Sequence, residues 1–212
     1  MDDSAGEFIE TERKYEAESG FVLPGLSGVP GVAAVSPPQT YELSAVYIDT
    51  EDLRLIGAKV TLRRRTGGTD AGWHLKLPAG GDSRREIHAP LGPGVGTVPA
   101  DLLDRVSGWT GGQPLQPIAR LDTIRTVRHL TGGDGQVLAE IADDLVTGSL
   151  PAGRPAGWQV AASWREIEVE LVTGSPDLLD AVALRLQQAG ASPSAAASKL
   201  GRLLATRDLS KG

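Results

Sequence analysis

Charged residues recur at every second position in several short stretches, and those stretches are where chemistry could be done. Glu10, Glu12 and Lys14 are spaced this way, as are Glu166, Glu168 and Glu170. Arg63 and Arg65 recur likewise, and Lys76 stands between Leu75 and Leu77. Along a β-strand alternate side chains point to one face, so each set shares a face, with Ile167, Val169 and Leu171 opposite the second one. An antiparallel sheet with one wet face also alternates apolar with polar residues, but such a face normally mixes its signs. Three carboxylates on alternate residues repel one another unless cations or basic partners offset them. Carboxylates on some strands facing Arg and Lys on others is the arrangement that a polyphosphate with its divalent cation requires. Guanidinium and ammonium groups hydrogen-bond phosphate oxygens, while hard oxygen ligands hold Mg²⁺ or a similar ion.

Period-two alternation and turn residues predict eight strands to position these sets, at 7–15, 41–50, 58–65, 71–77, 84–89, 118–130, 136–146 and 163–173. The Gly-bearing turns at 66–72, 78–83 and 131–135 are short enough to join antiparallel neighbours. Helices are predicted at 99–107 after Pro99, at 176–188 with Ser175 as N-cap and Pro176 at the first position, and at 194–207. Closing about eight strands into a barrel would put one face inside a lumen just wide enough for side chains or a small ligand.

The chain of 212 residues suits a single domain over 1–212. Its formal net charge of −6 argues against nucleic acid bound on an open basic surface. The value averages a basic stretch at 54–88 with acidic ones at 1–53 and 134–180. Cysteine is absent, which excludes disulfides and thiolate chemistry. No apolar run could span a bilayer and the opening MDDSAGEFIE does not read as a signal peptide, so the chain is expected to be cytoplasmic and without a membrane partner. His74, His88 and His129 fall on different predicted strands with no shared spacing and read as partly exposed strand histidines rather than a metal cluster. Trp73 and Trp164 are expected to pack under flanking helices. No GxxxxGK[ST], GxSxG or HExxH pattern occurs.

Glu10-Thr-Glu12-Arg-Lys14 near the start, YIDT at 47–50, VTLRRR at 60–65, WHLKLP at 73–78, Arg84 and Glu86 in SRREI, Arg125 in LDTIRTV, LAEIADDLV at 138–146, WREIEVEL at 164–171 and SKLGR at 198–202 follow one another in order. Together they resemble the CYTH family of triphosphate tunnel metalloenzymes, over residues 7 to about 205. The resemblance implies a mainly β (α+β) fold, an eight-stranded antiparallel closed barrel forming a tunnel with a few flanking helices, and activity on triphosphates with Mg²⁺ or Mn²⁺. It implies that Glu10, Glu12, Asp144, Glu168 and Glu170 serve the metal, and that Lys14, Arg63, Arg65, Lys76, Arg84, Arg125 and Lys199 bind phosphate. Asp143 would face away from this set. The run 121–125 departs from the family pattern, with Asp122 in place of a basic residue; alternation puts Asp122 and Ile124 opposite Arg125 and so outside. CYTH domains also occur fused to a helical, histidine-rich CHAD domain, which is not expected within the ten residues that follow SKLGR in this sequence, whether the chain is a whole protein or a fragment of one.

The reaction expected is hydrolysis of a small triphosphate, inorganic tripolyphosphate first, to diphosphate and phosphate, with Glu12 or Glu170 orienting the water. Adenylate cyclase and thiamine triphosphatase are alternatives. Each needs a recognition site for its organic part, which is hard to place with nine aromatic residues in the chain. A polyphosphate-binding module without turnover is a third, against which the carboxylates argue.

Overall fold

In a computed structural model of the protein, residues 11–79, 84–92, 97–153 and 157–209 are described. The strands are β1 (Glu12–Ala17), β2 (Ala34–Val35), β3 (Gln39–Asp49), β4 (Thr61–Thr66), β5 (Gly72–Pro78), β6 (Arg84–Ala89), β7 (Gln116–Thr131), β8 (Val137–Ala152), β9 (Gly157–Leu171) and β10 (Ser192–Pro193). The helices are α1 (Arg54–Gly57), α2 (Ala100–Thr110), α3 (Pro176–Gln188) and α4 (Lys199–Leu209). All eight strands expected from alternation form. The two-residue β2 and β10 and the four-residue α1 are additional, and α4 starts at Lys199 rather than at 194.

The strands make one antiparallel sheet in the order β10-β1-β9-β8-β7-β3-β4-β5-β6, with β2 on β7. The fold class is therefore the expected one, with a difference at the seam: among the described residues no ladder joins β6 to β1, so hydrogen bonds do not close the barrel. β10 occupies the free edge of β1 instead, pairing at Tyr15 and Glu16. Residues 7–10 of the first expected strand lie outside the described residues. Although the ladder is open, charged side chains on one face are largely shielded: Arg65 is 12% exposed, Glu168 13% and Lys199 14%. Shielding of that degree on a sheet face shows that the sheet curls around it.

Apolar packing covers the other face. Tyr15, Ile141, Ile167 and Val169 pack with Leu178, Val182 and Leu186 of α3. Leu62, Trp73, Leu75 and Ile87 pack with Leu55 of α1 and Leu102 and Val106 of α2. Burying such side chains contributes roughly 1.5–3 kcal/mol each. α1 is placed by the end of β3: the buried Asp49 carboxylate accepts the backbone N–H groups of Thr50, Leu55 and Ile56 at 2.7, 2.9 and 3.0 Å. By contrast α4 lies on the inner face, where Leu200 and Leu203 meet Ala45, Tyr47, Leu121 and Val146. Both tryptophans pack as expected, Trp73 beneath α2 and Trp164 against the α4 cluster. No helix among the described residues is long and apolar enough to cross a membrane.

Candidate active site

Strand register carries the inner face around the sheet, because directly paired antiparallel residues share a face. Lys14 pairs with Glu168, Glu12 with Glu170, Glu170 with Glu140, Glu166 with Asp144 and Asp144 with Arg125. Further round, Tyr47 pairs with Arg63, Arg63 with His74 and Lys76 with Glu86. Acidic strands β1, β9 and β8 thus make one wall and basic strands β4 and β5 another, with β7 and β3 between them.

At the acidic wall the charges are tightly compensated. Arg125 donates from Nε and Nη2 to the two oxygens of Asp144 at 2.8 and 2.7 Å, and from Nη2 to Glu168 at 2.6 Å. Lys14 lies 2.5 Å from Glu168 and 2.8 Å from Glu12. From the start of α4, Lys199 reaches Asp144, Glu166 and Glu168 at 3.0, 2.5 and 2.8 Å. Burial opposes charge on Glu168, Lys14, Arg125 and Lys199, but the opposite charges prevail. Glu168 is held well below the usual carboxylate range by Lys199, Lys14 and Arg125, whereas Lys14, Arg125 and Lys199 are held above their usual values by the carboxylates. Trp164 Nε1 donates to Glu166 at 2.6 Å and fixes its second oxygen.

The basic wall is less compensated. Burial, reinforced by Arg63 and Arg125, pulls the Arg65 guanidinium down to about 9 even though it pairs with Asp70. Arg63 donates to the Tyr47 hydroxyl at 3.4 Å and lies 3.9 Å from Glu86; burial lowers its pKa, and Tyr47 and Glu86 more than restore it. The buried Nε atoms of both arginines have no hydrogen-bond partner. Lys76 lies 3.1 Å from Glu86.

The structure therefore brings Glu12, Lys14, Asp144, Glu168, Arg125 and Lys199 together and sets Arg63, Arg65 and Lys76 on the neighbouring wall. Glu10 and the Arg84 side chain lie outside the described residues. Asp144, Glu166 and Glu168 each place a carboxylate oxygen within 4.8 Å of the others. Glu170 is not in that group; it sits beside Glu12 and Glu140, one pleat along. Glu166 takes its place, and the alternation 166/168/170 contained the signal. Asp143 points outward to Arg165, at 2.7 Å, as Arg13 does to Asp180. Asp122 pairs with Arg120 at 2.9 Å on the face opposite Arg125, as expected. His88 and His129 are partly exposed, as expected, whereas His74 corrects the sequence reading. His74 is 1% exposed and tilted 55° against His88 with ring centroids 4.3 Å apart, and Glu86 joins them in a second cluster of possible metal ligands.

A CYTH domain family model matches residues 9–203. Two uncharacterised proteins of Mycobacterium tuberculosis, from strains CDC 1551 and H37Rv, are each 46% identical over 205 residues, covering 92% of this chain; the chain spans about 40% of their length. Among solved structures, a candidate adenylate cyclase from Bacillus halodurans superimposes with a TM-score of 0.63 at 18% identity, covering 93% of this chain and 98% of that one. A candidate adenylyl cyclase from Hippeastrum, described as having a dominant triphosphatase activity, has a TM-score of 0.55 at 18% identity, with 92% and 95% covered. These likenesses concern the fold, and the family match spans nearly the whole site-bearing sheet. The chain belongs to the CYTH domain family.

Proposed function

We propose that this protein hydrolyses a small triphosphate, inorganic tripolyphosphate first, to diphosphate and phosphate on the inner face of its curled sheet. The observation that carries the reading is the pair of buried Arg63 and Arg65 Nε donors without partners, beside an acidic wall. An anion with several oxygens satisfies such donors, and phosphate does so bidentately. The Hippeastrum neighbour supports the reaction class.

The acidic wall fits a hard divalent cation. Asp144, Glu166 and Glu168 offer only oxygen, the donor type that Mg²⁺ and Mn²⁺ prefer. The Lys199 ammonium already places a positive charge among them. Those three residues, with Glu12 and Glu170 on the same wall and Glu10 as the family resemblance implies, would hold the ion, which when bound would neutralise phosphate charge and orient oxygens. Arg63, Arg65, Lys76, Arg84 and Arg125 bind and align the phosphate chain. Lys14 and Lys199 hold the carboxylates in place until substrate arrives and then share its charge. Glu12 or Glu170 accepts a hydrogen bond from the attacking water and orients it. Phosphoryl transfer through a loose transition state needs such positioning and charge compensation rather than a protein nucleophile.

The test is phosphate release from tripolyphosphate with Mg²⁺ or Mn²⁺, by the protein and by the double variant Glu168→Ala/Glu170→Ala. The variant should lose most of the activity. Equal rates would sink the reading, since these carboxylates are asked to hold the metal.

A further inference from the structure

His74 on β5 and Glu86 and His88 on β6 form a group beside the phosphate-binding residues Lys76 and Arg63, both of which Glu86 contacts. His74 Nε2 lies 2.9 Å from the Asp70 carbonyl oxygen. A carbonyl only accepts, so this nitrogen carries a proton and donates. The other ring nitrogen, Nδ1, lies 2.9 Å from Glu86 Oε1, and His88 Nε2 lies 3.3 Å from the same oxygen. In a neutral imidazole Nδ1 then offers only its lone pair, so two acceptors face each other around a side chain that is 1% exposed. That contact calls for a cation between them, a proton or a metal ion.

Three features favour the metal. Ligand atoms at about 2.0–2.2 Å from a tetrahedral Zn²⁺ stand roughly 3.3–3.6 Å apart; the 3.3 Å from His88 Nε2 to Glu86 Oε1 falls in that range, and the 2.9 Å from His74 Nδ1 would have to widen by about 0.4 Å to admit the ion. A metal-ligating histidine usually donates its remaining N–H to a backbone carbonyl or carboxylate, which fixes the ring; Asp70 provides this for His74. The His88 side chain is 52% exposed, which gives an entry path and leaves room for water ligands. Glu86 is also shared with Lys76, 3.1 Å from Oε2, and Arg63, 3.9 Å from Oε1, so the ion would compete with these cations for one carboxylate.

We infer that His74, Glu86 and His88 form a site for a transition-metal dication, Zn²⁺ by its ligand chemistry, distinct from the all-oxygen set of Asp144, Glu166 and Glu168. Two imidazoles and one carboxylate suit Zn²⁺ or Co²⁺ better than Mg²⁺. The inference does not depend on which triphosphate is hydrolysed.

Co²⁺ is the probe. The purified, tag-free full chain is titrated with Co²⁺ in a large excess of Mg²⁺, which occupies the oxygen donors. The visible absorption of nitrogen-ligated cobalt should appear with one equivalent and be displaced by Zn²⁺. His88→Ala removes a half-exposed ligand without opening the core; its melting temperature in metal-free buffer verifies that it folds. It should weaken cobalt binding by at least about tenfold relative to Glu168→Gln, which alters only the oxygen set. Absence of the cobalt signal, or a loss in Glu168→Gln as large as in His88→Ala, overturns the assignment and leaves a proton as the cation between His74 and Glu86.

Discussion

Arg125 on β7 locks together the carboxylates of the acidic wall, binding Asp144 through Nε and Nη2 and Glu168 through Nη2. A lysine there keeps the charge but loses the fork. Each lost charge-assisted hydrogen bond is worth about 1.5–3 kcal/mol, so Arg125→Lys should weaken tripolyphosphate binding by at least about tenfold in titration calorimetry, with the fold retained. Glu168 makes a prediction about pH. Burial alone would raise its pKa, but Lys199, Lys14 and Arg125 hold it well below the usual range. The unfolded chain therefore takes up the proton first as pH falls. The stabilisation is complete above the ordinary carboxylate pKa and drains away as pH drops toward the folded value. In metal-free buffer, Glu168→Gln should show a flatter fall of melting temperature on acidification than the unaltered protein; parallel curves would contradict the proposed ion-pair network.

At the scale of elements, α4 positions Lys199 and is itself positioned by a glycine. A Cβ on Gly148 of β8 would come within 2.7 Å of Leu203 Cδ1 on α4 and 3.2 Å of Trp164. Gly148→Val should therefore push α4 off the inner face and lower tripolyphosphate affinity alongside stability, both measurable on one sample. Lys199→Met removes the ammonium from among three carboxylates, and leaving buried charges uncompensated costs about 3–5 kcal/mol. Added Mg²⁺ should recover part of that loss, raising the melting temperature of Lys199→Met more than that of the unaltered protein. The strands bearing these residues were legible in the sequence because their alternation is strong: Glu166, Glu168 and Glu170 against Ile167, Val169 and Leu171. α1 was not, because four residues have no periodicity and its anchor is Asp49 on a neighbouring strand. A helix was expected from residue 194, yet Ser194 N–H donates to the Lys14 carbonyl and the preceding Ser192 and Pro193 pair with β1. The histidine cluster was also hidden, since the pairing of His74 with His88 is set by the β5–β6 register and not by any spacing along the chain.

For the whole molecule, a net charge of −6 describes a sum that the fold keeps apart. Part of the acidic excess of the 134–180 stretch, Glu140, Asp144, Glu166, Glu168 and Glu170, lines the inner face of β8 and β9, and part of the basic excess of 54–88, Arg63, Arg65 and Lys76, lines that of β4 and β5. The antiparallel architecture was readable from the chain, whereas the pairing of β10 with the edge of β1 was not, because a two-residue strand has no alternation to read. The measurement that tests the central claim most directly is phosphate release from tripolyphosphate, ATP and thiamine triphosphate by the same preparation, across a series of Mg²⁺ and Mn²⁺ concentrations and with a chelator. The account predicts release that requires the divalent ion and is fastest with tripolyphosphate. Tight tripolyphosphate binding without turnover under either metal, or cyclic AMP as the main product from ATP, would contradict it.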